Sequence, residues 1–164
     1  MSEIKVAEFP ARILVGKSAD FYGAMSPKFN GQEVLGPVWG EMNAMGKALG
    51  LPERTPMMSA TRPAKSPEAE NGLLTQFIGY VVETIPTDLK GLEVLEVPAG
   101  LFAYTEHVGA MDTLVDSVRG FYSALDSLEG CTQRSGFHLE IYDERFNMES
   151  PDSIMTIAAP VERA

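Results

Sequence analysis

Two pairs of short segments in this chain resemble one another closely enough to indicate a duplicated structural unit. Residues 6–14 (VAEFPARIL) align with residues 94–102 (VLEVPAGLF) at a constant offset of 88 (94 − 6), and share Val, Glu, Pro and Ala. Residues 77–82 (FIGYVV) align with residues 137–142 (FHLEIY) at an offset of 60 (137 − 77). The matches occur in the same order, and a helical pattern lies between them in each half. We therefore predict two copies of one supersecondary unit.

One amphipathic helix is predicted in each half, because apolar residues recur there at spacings of three and four. In the first half the pattern covers residues 35–49, with Pro37 in the first helical turn and Gly50 just after the end. In the second half it covers residues 111–125, with Asp112 near the positive N-terminus of the helix. Each predicted unit is thus built around one principal helix.

Strands are predicted on both sides of these helices. They cover residues 6–17, 74–84, 92–97, 101–107, 137–143 and 154–159. Together with the helices they form an α+β fold of two strand-helix-strand-strand units, over about residues 4–97 and 92–162. Residues 51–72 contain four prolines and few apolar side chains, so we predict a long loop there, either a surface excursion or a lid over a ligand site.

Length and composition narrow the class of protein. The 164 residues suit one domain, residues 1–164, and 13 basic against 23 acidic side chains give a net charge of -10. A negative field repels phosphate backbones and anionic lipids, which argues against direct binding to nucleic acid or to a membrane. Cys131 is the single cysteine, so no intrachain disulfide is possible and no metal site is predicted. With no signal peptide pattern, we expect a soluble, cytoplasmic protein.

Residues 137–143 (FHLEIYD) place a carboxylate within an apolar alternation. Because successive side chains of a strand point to opposite faces, His138, Glu140 and Tyr142 share one face. That face either meets solvent or lines a cleft in which an acid and an aromatic ring contact a ligand.

Several short motifs, taken in order, resemble one known family. They are residues 97–104 (VPAGLFAY), 108–109 (VG), 112–114 (DTL), 137–143 (FHLEIYD) and 159–161 (APV). This order resembles the GyrI-like (gyrase-inhibitor-like) small-molecule-binding domain, which also forms the effector-binding part of AraC-type and multidrug-sensing transcription regulators. The resemblance is strongest from about residue 92 to residue 162, and Trp39-Gly40 resembles the helix signature of the first half.

The resemblance implies a mainly antiparallel sheet, built from two pseudo-symmetric units with a ligand cleft between them. Members of the family bind lipophilic, often cationic, aromatic compounds, and Glu140 matches their cation-contacting acid. The repeat alignment places Tyr80 at the position of the first unit that is equivalent to Glu140. The acid and the ring would then contact a ligand cation from two sides. The remaining candidate ligand-binding residues are Trp39, Tyr142, His138 and Phe102, the last of which stands where many members carry Tyr.

Three functions remain open. The favoured one is a stand-alone small-molecule-binding protein for lipophilic, cationic aromatic compounds, related to regulator effector domains, with no cofactor. A second is a hydrolase that opens strained rings of DNA-alkylating natural products, with Glu140 and Tyr80 as acid–base partners. A third is a gyrase-inhibitor-like protein that acts on a protein partner. No helix-turn-helix segment is recognisable, so we expect that direct transcription control would need a partner protein or a fusion to another domain.

Overall fold

Residues 3–164 are described by the computed structural model of the chain. Its strands are β1 (Lys5–Phe9), β2 (Arg12–Tyr22), β3 (Met57–Pro63), β4 (Leu73–Val82), β5 (Glu93–Val97), β6 (Gly100–Val108), β7 (Cys131–Gln133), β8 (His138–Tyr142) and β9 (Ile154–Arg163). The two α-helices are α1 (Gly31–Ala48) and α2 (Leu114–Leu125), and short 3₁₀ helices cover Pro67–Asn71 and Met111–Thr113. No helix within residues 3–164 is long and apolar enough to cross a membrane.

The strands form one open, antiparallel sheet in the order β1-β6-β9-β8-β3-β4-β2-β5, with β7 paired to β9. This order is symmetric about its centre, where β3 pairs with β8. It relates β2-α1-β3-β4 to β6-α2-β8-β9, and so confirms the predicted α+β fold of two pseudo-symmetric strand-helix-strand-strand units.

The strand that precedes each unit pairs with the other unit. β1 pairs with β6, and β5 pairs with β2, at opposite edges of the sheet. Each edge strand is joined by only two residues, 10–11 or 98–99, to a strand that lies near the other edge of the sheet. The sheet therefore curls, and its two edges approach each other. This curl buries the face opposite the helices, where Phe9 stacks on Phe102 at 5.0 Å between ring centroids.

The main core lies between the helices and the other face of the sheet. Its fully buried members include Val15, Ile78 and Ile157 from the sheet, Met42 from α1 and Phe121 from α2. The apolar stripes of both predicted helices therefore pack as expected. The core leaves the centre of the sheet, between the two helices, available to form the floor of a cleft.

The predicted loop at residues 51–72 is wrong, because it contains the central strand β3 and a 3₁₀ helix. Residues 57–60 (MMSA) are all buried in the middle of the sheet. Pro56 precedes this strand and Pro63 is its last residue, so the prolines bound the strand and do not interrupt it. The turn residues were visible in the sequence, but the short buried strand between them was not.

The second repeat match, at an offset of 60, is also wrong. It aligns β4 with β8, whereas the sheet order makes β3 the counterpart of β8 and β9 the counterpart of β4. The strand registers place Ser59, which pairs with Glu140, at the position equivalent to Glu140. Tyr80 therefore is not the counterpart of Glu140. Apolar alternation is common to all interior strands, so a six-residue match does not distinguish among them.

Two further boundaries differ from prediction. The strand expected at residues 6–17 is two strands, since the chain turns at Pro10. Helix α1 begins at Gly31, so Pro37 lies inside the helix and not in its first turn. Proline has no N–H to donate to the Glu33 carbonyl, and packing of α1 on the sheet outweighs that loss.

Candidate functional site

A cleft of about 1170 Å³ lies between α1 and α2, above the central strands of the sheet. The floor is formed by the helix-facing side chains of β3, β4, β8 and β9. The walls come from the two helices and from the loops at residues 23–29 and 143–148. The site thus lies where the two pseudo-symmetric units meet.

Glu140, on β8, lies at the floor of this cleft and is partly exposed to it. The Tyr142 hydroxyl, two residues along the same face, donates a hydrogen bond to Glu140 Oε1 at 3.0 Å. Burial raises the pKa of Glu140, and the hydrogen bond from Tyr142 acts in the opposite direction. Within residues 3–164, no Lys or Arg forms an ion pair with it. The cleft therefore holds a desolvated carboxylate with no basic partner.

Aromatic rings surround one side of this carboxylate. Trp39 of α1 meets Tyr142 edge-on at 4.8 Å between ring centroids, and Phe146 meets the other side of Tyr142 at 4.8 Å. Burial and the charge of Glu140 raise the pKa of Tyr142 well above its ordinary value, so this ring stays neutral. Such neighbouring rings favour binding of a flat or aromatic cation.

A second pair of polar rings lies on the α2 side of the cleft. The Tyr122 hydroxyl lies 2.6 Å from His138 Nδ1. Burial lowers the pKa of His138 and keeps the imidazole neutral. Burial and the charge of Glu140 raise the pKa of Tyr122, so the phenol retains its proton, and the two neutral side chains share one hydrogen bond.

The structure thus places four of the six predicted ligand-binding residues, Glu140, Trp39, Tyr142 and His138, around one cleft. Tyr80 points to the same face of the sheet, but it lies beneath α1, where its hydroxyl donates to the Met42 carbonyl at 2.6 Å. Tyr80 does not line the cleft.

Phe102 does not line it either. This ring is 2% exposed and belongs to the core on the opposite face of the sheet, against Phe9. The physical reason is the alternation of β6, which points position 102 away from the helices and positions 101 and 103 towards them.

Tyr122, Phe146 and Gln76 are among the side chains that line the cleft but were not predicted as ligand-binding residues. Two of them carried a signal. Gln76 is an amide within a mostly apolar strand, and Tyr122 is a hydroxyl-bearing ring on the apolar stripe of its helix. Phe146 follows β8 in a turn, where no pattern in the sequence predicts its position.

An antiparallel sheet carrying two helices over an aromatic cleft with one buried carboxylate defines a small-molecule-binding domain. The sequence model of the GyrI-like small molecule binding domain matches residues 2–162, and the chain belongs to this family. No curated protein matches the chain.

Solved structures with the same fold include SAV2435 bound to tetraphenylphosphonium, with 15% identity and a TM-score of 0.74 over 98% of this chain and 94% of that one. The C-terminal domain of EcmrR has 17% identity and a TM-score of 0.62, over 99% and 98% of the two chains. A hydrolase from Listeria innocua has 14% identity and a TM-score of 0.50, over 98% and 92%. At these identities the likeness shows the fold alone.

Proposed function

We propose that this protein binds lipophilic aromatic cations in the cleft, with Glu140 as the charge partner. The observation that carries the proposal is the buried carboxylate of Glu140, which has aromatic rings beside it and no ion-pair partner among the described residues. The tetraphenylphosphonium bound to SAV2435 is a compound of this class, and it supports the choice of ligand.

The energetics favour an organic cation over a hydrated metal ion. A carboxylate in a low-dielectric site attracts a positive charge more strongly than one in water, provided that the ligand gives up its own hydration easily. Large lipophilic cations are weakly hydrated and also gain burial of their apolar surface. Each cation–π contact with Trp39, Tyr142 or Phe146 adds roughly 0.5–2 kcal/mol. Together these contributions suit a binding free energy of about 8 kcal/mol, which corresponds to micromolar affinity, for a range of such cations. A sensor or a sequestering protein requires binding of this kind.

The test is a titration with tetraphenylphosphonium, followed by the fluorescence of Trp39, the single tryptophan. Glu140→Gln keeps an oxygen that accepts from Tyr142 but removes the charge. We expect it to weaken binding of the cation about tenfold or more, and to leave the neutral analogue triphenylphosphine oxide within about twofold. Glu144→Gln is the matched control, because this acid lies exposed at the rim of the same cleft. Equal cation affinity in Glu140→Gln and wild type would refute the proposal.

The two other predicted functions stay predictions. Ring-opening hydrolysis was expected to use Glu140 with Tyr80, and since Tyr80 lies beneath α1, a reaction in the cleft would need Tyr142 or Tyr122 in its place. Time-dependent conversion of a bound compound would support it. Action on gyrase is tested by a supercoiling assay, in which inhibition by the protein is the supporting result.

A further inference from the structure

Two loops bound the cleft at opposite ends of its central strands. The loop at residues 143–148 follows β8, whose last residue, Tyr142, pairs with the first residue of β3, Met57. The loop at residues 23–29 lies at the other end of the sheet, where β2 and β3 both end. This second loop joins β2 to α1, and it therefore belongs to the first unit.

Arg119, on α2 of the second unit, contacts this loop from the opposite wall of the cleft. Its Nε donates a hydrogen bond to the Ala24 carbonyl oxygen at 2.9 Å. Its guanidinium carbon lies 5.9 Å from the centroid of the Phe29 ring, within the range of a cation–π contact. Arg119 forms no ion pair among residues 3–164, so these two contacts with the loop are the ones that hold its side chain.

The same loop is also fixed to its own unit. The Tyr22 hydroxyl donates to Glu68 Oε2 at 2.5 Å, and Lys28 Nζ lies 3.8 Å from the same oxygen. The backbone N–H of Tyr22 donates to Asn30 Oδ1 at 2.8 Å, which holds the two ends of the loop together. The loop is thus anchored at its base to the first unit, and Arg119 joins it to the second.

The loop lines the cleft, whereas Arg119 does not. Ala24, Met25 and Phe29 are lining residues, and Met25 is 61% exposed at the rim. Arg119 is an exposed residue of α2 outside this lining. We propose that Arg119 is a positioning residue, whose contacts with Ala24 and Phe29 hold the loop across this end of the cleft and set how fast a ligand enters and leaves.

The strength of the contacts suits this role. One exposed hydrogen bond and one exposed cation–π contact break and form again without disturbing the core, so the loop opens locally while the sheet stays folded. A ligand in the cleft contacts the loop but not Arg119. Loss of Arg119 therefore speeds opening in the free and the occupied protein alike, and changes both rates more than the affinity. The inference rests on the proposed function and adds the control of ligand exchange at the same site.

The experiment is a stopped-flow measurement on Arg119→Met, which keeps an unbranched apolar side chain and removes the donor and the charge. Tetraphenylphosphonium and the neutral triphenylphosphine oxide are each followed by the fluorescence of Trp39. We expect the association and dissociation rates of both compounds to rise about fivefold, with the affinities within about twofold of wild type. Lys47→Met is the matched control, because it removes one positive charge from an exposed position on α1 outside the cleft. It should keep the wild-type rates for the neutral compound.

Hydrogen exchange reports on the loop itself. In Arg119→Met the amides of residues 24–29 should exchange about fivefold faster than in wild type, while those of residues 57–60 in the buried strand β3 stay unchanged. Unchanged exchange in the loop would overturn the inference. So would an acceleration limited to the cation, because the lost charge would then be the cause.

The outcome for the proposed function is separate. If tetraphenylphosphonium binds and depends on Glu140, but its rates are the same in Arg119→Met and wild type, the role of Arg119 is refuted and the proposed function stands. If wild type binds neither compound, the proposed function fails, and the inference fails with it.

Discussion

The ionisation of Glu140 connects the structure of the cleft to its chemistry. Burial raises the pKa of this carboxyl above its ordinary value of 4.5, while the hydrogen bond from the Tyr142 hydroxyl stabilises the charged form. Among residues 3–164, no Lys or Arg forms an ion pair with the charged form that would offset its desolvation. The empty cleft therefore holds an unfavourable charge that an organic cation neutralises on binding.

Cation affinity is expected to fall as the pH is lowered through the pKa of Glu140, at a midpoint above 4.5. Below that midpoint the carboxyl is neutral, and affinity drops up to about tenfold per pH unit. Protonation of His138, whose pKa burial lowers from 6.5, acts in the same direction by adding a positive charge. Titrations of tetraphenylphosphonium across the acid range should therefore retain the Glu140 step in His138→Phe. If Glu140→Gln retained that step, another group would be responsible.

Stability should show the opposite dependence on pH. The native state binds the Glu140 proton more tightly than the unfolded chain does. The contribution of this residue to the free energy of unfolding is therefore most favourable below about pH 4.5. The free energy of unfolding then decreases as the pH rises through the raised pKa. At pH 7, Glu140→Gln should be more stable than wild type by about 1–3 kcal/mol, because it removes a buried charge. Urea denaturation measures this difference, and a less stable Glu140→Gln would contradict it.

Among the elements, a buried hydrogen bond joins α1 to the sheet, in addition to the packing of its apolar side chains. The Tyr80 hydroxyl on β4 donates to the Met42 carbonyl at 2.6 Å. Gly46 makes this approach possible, since a Cβ at that position would lie 2.8 Å from the hydroxyl oxygen. The bond positions the helix that carries Trp39 over the cleft, so Tyr80 affects the site through α1.

Tyr80→Phe separates this role from direct contact with a ligand. Removal of the hydroxyl should lower the free energy of unfolding by about 1 kcal/mol. It should change the affinity for tetraphenylphosphonium less than about threefold, because Tyr80 does not line the cleft. Denaturation and fluorescence titration of the same variant test both points. A loss of affinity near tenfold without a loss of stability would instead restore Tyr80 as a ligand contact.

Elements differ in how well local sequence predicted them. The helices were predicted because the spacing of their apolar residues, every three to four positions, is visible in a short stretch of sequence. Packing on the sheet then buries the apolar stripe that this spacing creates. Strand β3 was missed because its buried MMSA segment is short and does not alternate between apolar and polar residues. Its stability comes from pairing with β4 and β8, which are distant in sequence. The same non-local pairing sets which strands are equivalent, and so assigns Ser59, not Tyr80, to the place opposite Glu140.

At the scale of the whole molecule, the charge of the surface and the symmetry of the fold both bear on the cleft. The net charge of -10 creates a field that attracts cations from solution. The pseudo-symmetric sheet brings Ser59 and Glu140 together at its centre, so only one of the two equivalent positions carries a charge. One carboxylate suits a monovalent cation, whereas two would repel each other at this distance.

The association rate of tetraphenylphosphonium should therefore decrease with ionic strength. Salt screens the field of the distant acidic residues, while the buried Glu140 is screened much less. Between about 0.01 M and 1 M salt, stopped-flow measurements should show roughly a threefold or greater decrease in the association rate, with a smaller change in the dissociation rate. The neutral triphenylphosphine oxide should show no such decrease. A rate independent of salt would mean that the surface charge does not guide the cation.

The sequence was enough to predict the α+β class, the two principal helices, the duplication visible in residues 6–14 and 94–102, and the family. It also determined that His138, Glu140 and Tyr142 share a face, since these properties depend on neighbours within one or two turns of chain. Which residues meet across the cleft became known only from the folded structure. It removed Tyr80 and Phe102, added Tyr122, Phe146 and Gln76, and placed Ser59 beside Glu140. Those contacts depend on strand order and register, which are set by pairing between distant segments.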